Sequence, residues 1–316
     1  MVNEVAVGVI GYGHAGAVFH APLIQAEKRL RLSAVATSRP VELPGVRRVG
    51  SPAELFADPG IDLIVIASPN ETHHALALAA LDAGKHVVVD KPLANSAREA
   101  AELIARAAAR GRTLSVFQNR RWDGDFLEVR KLIEEGTLGL VSHYESHFDR
   151  FRPTPKPGWR EEAKPGSGLL YDLGSHLIDQ ALVLFGMPEE VSAEIEIQRP
   201  GVLVDDYFRL VLRWGARRAV LGASMLARDP RPRFEVRGSA RSFVTHGLDP
   251  QEEALKAGVR PGGPGWSGAY PEYYARLAAC LLDGGPIPVE ADDARRALTV
   301  LEAARLSAAE KKPVAL

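Results

Sequence analysis

The stretch Val5-Ala-Val-Gly-Val-Ile-Gly-Tyr-Gly-His-Ala-Gly16 decides the fold. Val5–Ile10 is a short, nearly all-apolar run, the pattern of a strand covered on both faces. Gly11, Tyr12, Gly13, His14, Ala15 and Gly16 then match Gly-x-Gly-x-x-Gly, and a helical segment follows. Alone this spacing is a weak signal. Directly after a strand and opening a helix, it is the turn that binds a dinucleotide. Gly11 permits the tight turn, Gly13 lets the backbone approach a pyrophosphate, and Gly16 permits close helix–strand packing. The helix N-terminus offers unpaired N–H groups and positive potential to the phosphates. Pro22 should kink this helix or end it early.

Outward from this turn, strand-like and helix-like segments alternate. LSAVAT (Leu32–Thr37), IDLIVIAS (Ile61–Ser68), HVVVD (His86–Asp90) and TLSVFQN (Thr113–Asn119) read as strands, separated by Ala-rich helices over 73–83 and 96–110. Such alternation predicts a parallel sheet covered on both faces, an α/β Rossmann domain over residues 1–120. From Val141 the pattern changes to longer strands with period-two alternation. These are VSHYESHFDRF, EVSAEIEIQ, VDDYFRLVLRW, RRAVLGASML and FEVRGSARSFVTH, interrupted by one helix over 168–185. An α+β domain with an open, largely antiparallel sheet is therefore expected over residues 121–316.

Four sites along the chain carry chemistry. The second strand runs into Thr37-Ser38-Arg39, where an NAD site would place an acid for the ribose 2′-hydroxyl. Ser38 and Arg39 instead suit a 2′-phosphate through charge-assisted hydrogen bonds, so NADP is expected, with NAD the other option. Ser68, Pro69, Asn70 and His73 follow the third strand, and Asp90, Lys91 and Pro92 follow the fourth, at the rim where parallel sheets bind ligands. Far downstream, GLLYDLGSHLID places Asp172, His176 and Asp179 at i, i+4 and i+7, on one helical face. Gly174 between them would let a ligand or another backbone come close. Trp159 and Arg160 lie in the loop before this helix.

Other features exclude functions. The formal net charge is −1 and no block of Lys or Arg stands out, so neither nucleic acid nor an anionic membrane is an expected partner. The single cysteine, Cys280, precludes an internal disulfide, and its apolar setting predicts a buried, inert thiol. His143, Glu145, His147 and Asp149 alternate on one strand face. The two histidines are about 13 Å apart there, too far to share one ion, so no metal is expected. Val5–Ile10 already reads as core, no apolar run is long enough to span a bilayer, and a cytoplasmic location is expected.

GYGHAG, ASPNETHH, AGKHVVVDKP and GLLYDLGSHLID together resemble the glucose–fructose oxidoreductase/inositol dehydrogenase family, through essentially the whole chain. FQNRRWDGDF and SHYESHFDRFRP look most like its NADP-linked scyllo-inositol dehydrogenase members. Where the family usually has Glu-Lys-Pro, this chain has Asp90-Lys91-Pro92. The resemblance implies hydride transfer between a nicotinamide cofactor and a secondary alcohol or ketone of a sugar, inositol or related polyol. It implies catalytic roles for Lys91, Asp172 and His176, a cis Lys91–Pro92 bond, and Trp159 and Arg160 near the nicotinamide end. It also implies a homodimer or homotetramer built through the open sheet. Two other functions stay open at this point: redox-neutral glycoside cleavage using NAD, and a non-catalytic cofactor-binding regulator. Retention of Lys91 and His176 argues against the second of these.

Overall fold

The computed structural model describes residues 4–40, 43–155, 158–264 and 266–316, and of Arg160 the backbone only. Within it the chain divides into two compact units, Met1–Asp123 with Asp249–Ala294, and Gly124–Leu248 with Arg295–Leu316.

In the first unit, β1 (Val5–Ile10), β2 (Leu30–Ala36), β3 (Arg47–Val49), β4 (Leu63–Ile66), β5 (His86–Asp90) and β6 (Leu114–Phe117) form one sheet, ordered β3-β2-β1-β4-β5-β6. Every pairing is parallel. This is the Rossmann arrangement, with its strand order reversing between β1 and β4. All residues of β1, β4 and β6 are buried, as a sheet covered on both faces requires. Pro22 is accommodated rather than disruptive. A wide-turned helical segment, Ala15–His20, leads into a short α-helix, Ala21–Ala26, whose first turn holds the proline.

By packing, Asp249–Ala294 returns to the first unit. The reason is aromatic packing. Tyr270, Tyr273 and Tyr274 are fully buried. Tyr273 meets the Phe117 ring edge-on at 4.9 Å, and Tyr274 Oη is hydrogen-bonded to His20 Nδ1 at 2.6 Å. Gln251 seals the same region, donating to the Trp122 carbonyl and accepting from Tyr270 N and Trp266 Nε1.

The second unit holds β7 (Val141–His147), β8 (Glu190–Glu196), β9 (Tyr207–Trp214), β10 (Arg217–Ser224), β11 (Phe234–Gly238), β12 (Ser242–Thr245) and β13 (Val314–Ala315). They form a sheet ordered β12-β11-β7-β10-β9-β8-β13, antiparallel except where β10 runs parallel to β7. Alternation decides its faces: Phe208, Leu210 and Leu212 of β9 are buried, whereas Arg209 is exposed. The stretch expected as one strand over 234–246 is a hairpin. Residues 239–241 make the turn, and at Gly238, the last residue of β11, a Cβ would lie 2.0 Å from the Leu138 carbonyl oxygen. Arg233 is fully buried, its guanidinium 4.0 Å from the centres of both Phe148 and Phe234, and it donates to Gln180 Oε1 at 2.9 Å.

Cys280 is only partly buried, which corrects the expectation of a buried thiol. Desolvation still pushes its pKa up, away from reactivity. Among the described residues no helix is long and apolar enough to cross a membrane.

Candidate functional site

The rim of the first unit is built by the chain leaving four parallel strands at the same end. After β1, Gly11 adopts φ +92°, and a Cβ on it would fall 2.6 Å from the Ala67 carbonyl oxygen, at the end of β4. A Cβ on Gly16 would fall 2.1 Å from the Gly11 carbonyl oxygen, so the helix can pack this closely only without a side chain. Gly13 differs: nothing lies within 4 Å of where its Cβ would be. Turn and packing thus use Gly11 and Gly16, while Gly13 presents bare backbone outward. The first helical turn contains no acidic residue. Together these features fit a dinucleotide's pyrophosphate.

Tyr12 and Ala15 complete the turn. His14 is half-exposed, stands edge-on to Phe19 at 5.7 Å, and has Nε2 3.6 Å from Glu252 Oε1. Glu252 lies on the Gln251–Lys256 helix and was not anticipated from sequence. Burial pushes its carboxyl up, but His14, the buried Arg120 and Lys256 outweigh this and hold it far below the usual carboxylate range. Arg120 also donates to Tyr270 Oη at 2.8 Å. The turn is therefore braced from a segment more than 230 residues away in sequence.

After β2, Ser38 and Arg39 are exposed, and Arg39 N donates to Thr37 Oγ1. Arg48, in β3, reaches the Arg39 carbonyl with Nη1 at 3.4 Å. It brings a second guanidinium to this turn. Sequence reading missed it, because a three-residue edge strand leaves almost no periodic signal.

The loops after β4 and β5 are tied together. Ser68 Oγ and Thr72 Oγ1 are hydrogen-bonded at 2.6 Å, and Pro69 precedes the one-turn helix Asn70–Thr72. Asn95 Nδ2 donates to the Asn70 carbonyl, joining the two loops. His73, expected among the cofactor contacts, is fully buried. Its Nδ1 lies 2.8 Å from the Pro92 carbonyl oxygen and its Nε2 2.9 Å from that of Ser68. It staples the two rim loops from behind, and burial pushes its imidazole pKa down. The Lys91–Pro92 bond is cis. Asp90 Oδ1 accepts from Lys91 N at 2.9 Å and lies 3.9 Å from His20 Nε2. Burial raises the Asp90 carboxyl, but His20, Lys91 and His73 outweigh this, so it sits below its usual value.

In the second unit the helix bearing Asp172 and His176 has two parts, a wide-turned segment Leu170–Gly174 and an α-helix Ser175–Phe185. Asp172 is half-buried, and His176 and Asp179 are buried. Gly174 does not admit a ligand. A Cβ there would lie 2.7 Å from Leu170 Cδ1, so its absence makes room for the Leu170 side chain one turn back, with Phe208 Cζ at ordinary contact distance, 3.4 Å. Asp172 opens onto a pocket of about 220 Å³, also lined by Trp159, Arg150, Arg152, Asp205 and Asp206. Trp159 belongs to the short turn Trp159–Glu161, and the Arg160 side chain lies outside the described residues. Elsewhere, Glu145 stands between the two strand histidines, with His143 Nε2 at 2.7 Å and His147 Nε2 at 2.8 Å, and Asp149 pairs with Arg231 instead.

A model of the oxidoreductase family's NAD-binding Rossmann fold matches residues 5–118, and one of that family's C-terminal alpha/beta domain matches residues 130–316. The chain belongs to the GFO/IDH/MocA oxidoreductase family. Within this family it is 44% identical to the oxidoreductase YdgJ of Escherichia coli, over 96% of each chain. It is 36% identical to scyllo-inositol 2-dehydrogenase (NADP(+)) IolW of Bacillus subtilis, over 100% of this chain and 97% of IolW. The crystal structure of the Bacillus subtilis oxidoreductase YvaA superposes with a TM-score of 0.97 at 36% identity, covering 100% of this chain and 99% of that one. The protein is therefore an oxidoreductase with an NAD-binding Rossmann domain.

Proposed function

We propose that this family member is an NADP-preferring dehydrogenase of a cyclic polyol or sugar, with Lys91, Asp172 and His176 as its catalytic residues. The observation that carries this reading is the second unit's pocket, where Asp172 opens among carboxylates, guanidinium groups and one indole. Carboxylates accept from hydroxyls, guanidinium groups donate to them, and the indole covers an apolar ring face. The NADP-linked inositol dehydrogenase among its relatives supports both the substrate class and the cofactor. Ser38 and Arg39, with Arg48 beside them, support NADP in their own right.

When bound, the nicotinamide supplies the hydride acceptor or donor. His176 takes the hydroxyl proton, imidazole being the side chain that both accepts and returns a proton most readily near neutral pH. Asp172 orients the imidazole or binds a neighbouring hydroxyl. Lys91 donates to the substrate oxygen and favours its alkoxide character. In reduction each role reverses. The uncovered face of β8 and β9, where Ser192, Glu194, Arg209 and Val211 border a groove of about 450 Å³, serves in this reading to build a homodimer or homotetramer.

The test is a panel of inositols, hexoses and their keto derivatives, assayed by nicotinamide absorbance with NADP(H) and NAD(H) in parallel. Turnover of at least one cyclic polyol with a preference for NADP(H) is expected. Activity confined to non-polyol carbonyls, or a preference for NADH, overturns the reading.

A further inference from the structure

Asp205 and Asp206 are neighbours at the entrance to β9, and their bonds run in different directions. Asp205 holds the start of the helix that carries Asp172 and His176. Its backbone carbonyl accepts from Leu169 N at 2.8 Å, and its Oδ2 accepts from Leu170 N at 2.7 Å. Two N–H groups of the opening turn, which no residue of the helix itself can satisfy, thus converge on one residue of another element. Gly168, just before them, has φ +96°, and a Cβ on it would lie 2.2 Å from Asp205 Oδ1. The carboxylate occupies the space a side chain would need, so the glycine and the aspartate fit as a pair. Burial pushes the Asp205 carboxyl above its usual pKa, with Leu170 N–H and Arg305 opposing this only in part.

Asp206 holds the opposite wall. Its Oδ1 accepts from Gln198 N at 2.7 Å, and its Oδ2 accepts from Arg199 N at 3.0 Å and Arg199 Nε at 2.8 Å. The buried Arg199 then donates with Nη2 to Glu161 at 2.8 and 3.2 Å, and with Nη1 to the Arg152 carbonyl. Glu161 belongs to the turn that carries Trp159, whose carbonyl also accepts from Ser167 Oγ at 2.8 Å. The two aspartates, Arg199, Glu161, Trp159 and Asp172 all line the same pocket.

We propose that Asp205 and Asp206 are positioning residues for this pocket: Asp205 places the helix start bearing Asp172 and His176, and Asp206, through Arg199, places the Glu161 turn bearing Trp159. This rests on the reading of Asp172 and His176 as catalytic. The two arms act on different steps. A displaced helix moves the reacting groups and lowers kcat, whereas a loosened turn weakens ground-state binding and raises KM.

The experiment compares Asp205→Ala, Asp205→Asn and Glu161→Ala. Asp206 and Arg199 are left intact, because removing one partner of a buried pair strands the other charge and unfolds the pocket. Asp205→Ala should lower kcat about 10–100-fold, with NADPH affinity unchanged. Asp205→Asn keeps an acceptor oxygen for Leu170 N–H and should recover to within about threefold of wild type. Glu161→Ala should raise KM about fivefold, with kcat held to within about twofold. A second readout needs no turnover. The His176 ring signals in NMR spectra, assigned by their loss in His176→Ala, should shift in Asp205→Ala, return in Asp205→Asn and stay in place in Glu161→Ala. Wild-type kcat and unshifted His176 signals in Asp205→Ala overturn the proposal, as do equal losses in the alanine and asparagine variants. Wild-type turnover in His176→Ala, with the signals still moving in Asp205→Ala, overturns only the catalytic assignment and leaves the positioning intact.

Discussion

The cofactor-side rim and the pocket of the second unit are made of different material. At the rim's glycine turn, what the structure uses is backbone and the absence of side chains, directly after a strand. Gly11, Gly13 and Gly16 do their separate work within six residues. The pocket instead gathers Arg150, Trp159, Asp172, Arg199, Asp205 and Met225 from five stretches of chain. It is fixed by charged hydrogen bonds between residues as far apart as Glu161 and Arg199. A diphosphate is the same in every dinucleotide and can be met by a backbone motif, whereas a polyol must be read by side chains that differ between enzymes.

This contrast can be broken most sharply at the chemistry itself. His176→Ala in the side-chain-built half and Lys91→Ala at the rim should each lower turnover about 10²–10⁴-fold in steady-state absorbance assays, with NADPH binding retained. The double variant should be little worse than either single one if, as proposed, both groups serve one oxygen. Wild-type-like turnover in either single variant breaks the assignment.

A smaller effect tests how far the rim depends on side chains at all. Arg39→Ala should weaken NADPH binding by about 1–3 kcal/mol, the range for a hydrogen bond to a charged group, and leave NADH binding unchanged. Fluorescence titration of both reduced cofactors measures this. Equal losses for the two cofactors would remove Arg39 from the 2′-phosphate and make the rim a purely backbone device.

The smallest effect concerns a place where the rim borrows the other half's style, the cluster of His14, Arg120 and Glu252. The Glu252 carboxyl is held below its ordinary value near 4.5. Its contribution to stability is therefore complete above that pH and lost as pH falls towards the folded-state value. Glu252→Gln should lower the neutral-pH melting temperature by about 2–4 °C, and the two proteins should converge as pH drops below 4.5. A constant difference across the whole acid range would show that Glu252 is not ionised in the way the cluster requires.

The same contrast explains what the sequence discloses. The first unit's strands, glycine turn and rim loops are legible because each is a local pattern with a local cause. His73 shows the limit. Its position beside a rim loop reads as a ligand contact, yet the Pro92 carbonyl that claims its Nδ1 lies nineteen residues on. Gly174 reads as room for a ligand or another backbone, but what it accommodates is the Leu170 side chain one turn back. Asp205 and Asp206 look like the polar opening of an alternating strand, and nothing near them announces Gly168 or Arg199. Two adjacent acids ahead of an apolar alternation were the available signal. The turn dividing 234–246 was announced by Gly238-Ser239, and the apolar alternation on either side concealed it.

The late return of Tyr270, Tyr273 and Tyr274 to the first unit has a consequence for the protein's birth. When Asp123 has been synthesised, every strand of the first sheet exists, yet Phe117, His20 and Trp122 lack the rings that cover them. About 150 more residues must be polymerised before the tyrosines arrive, a wait of about 8–30 s at ordinary elongation rates. Through that interval the nascent sheet carries an uncovered aromatic face, the kind of surface by which an unfinished chain aggregates.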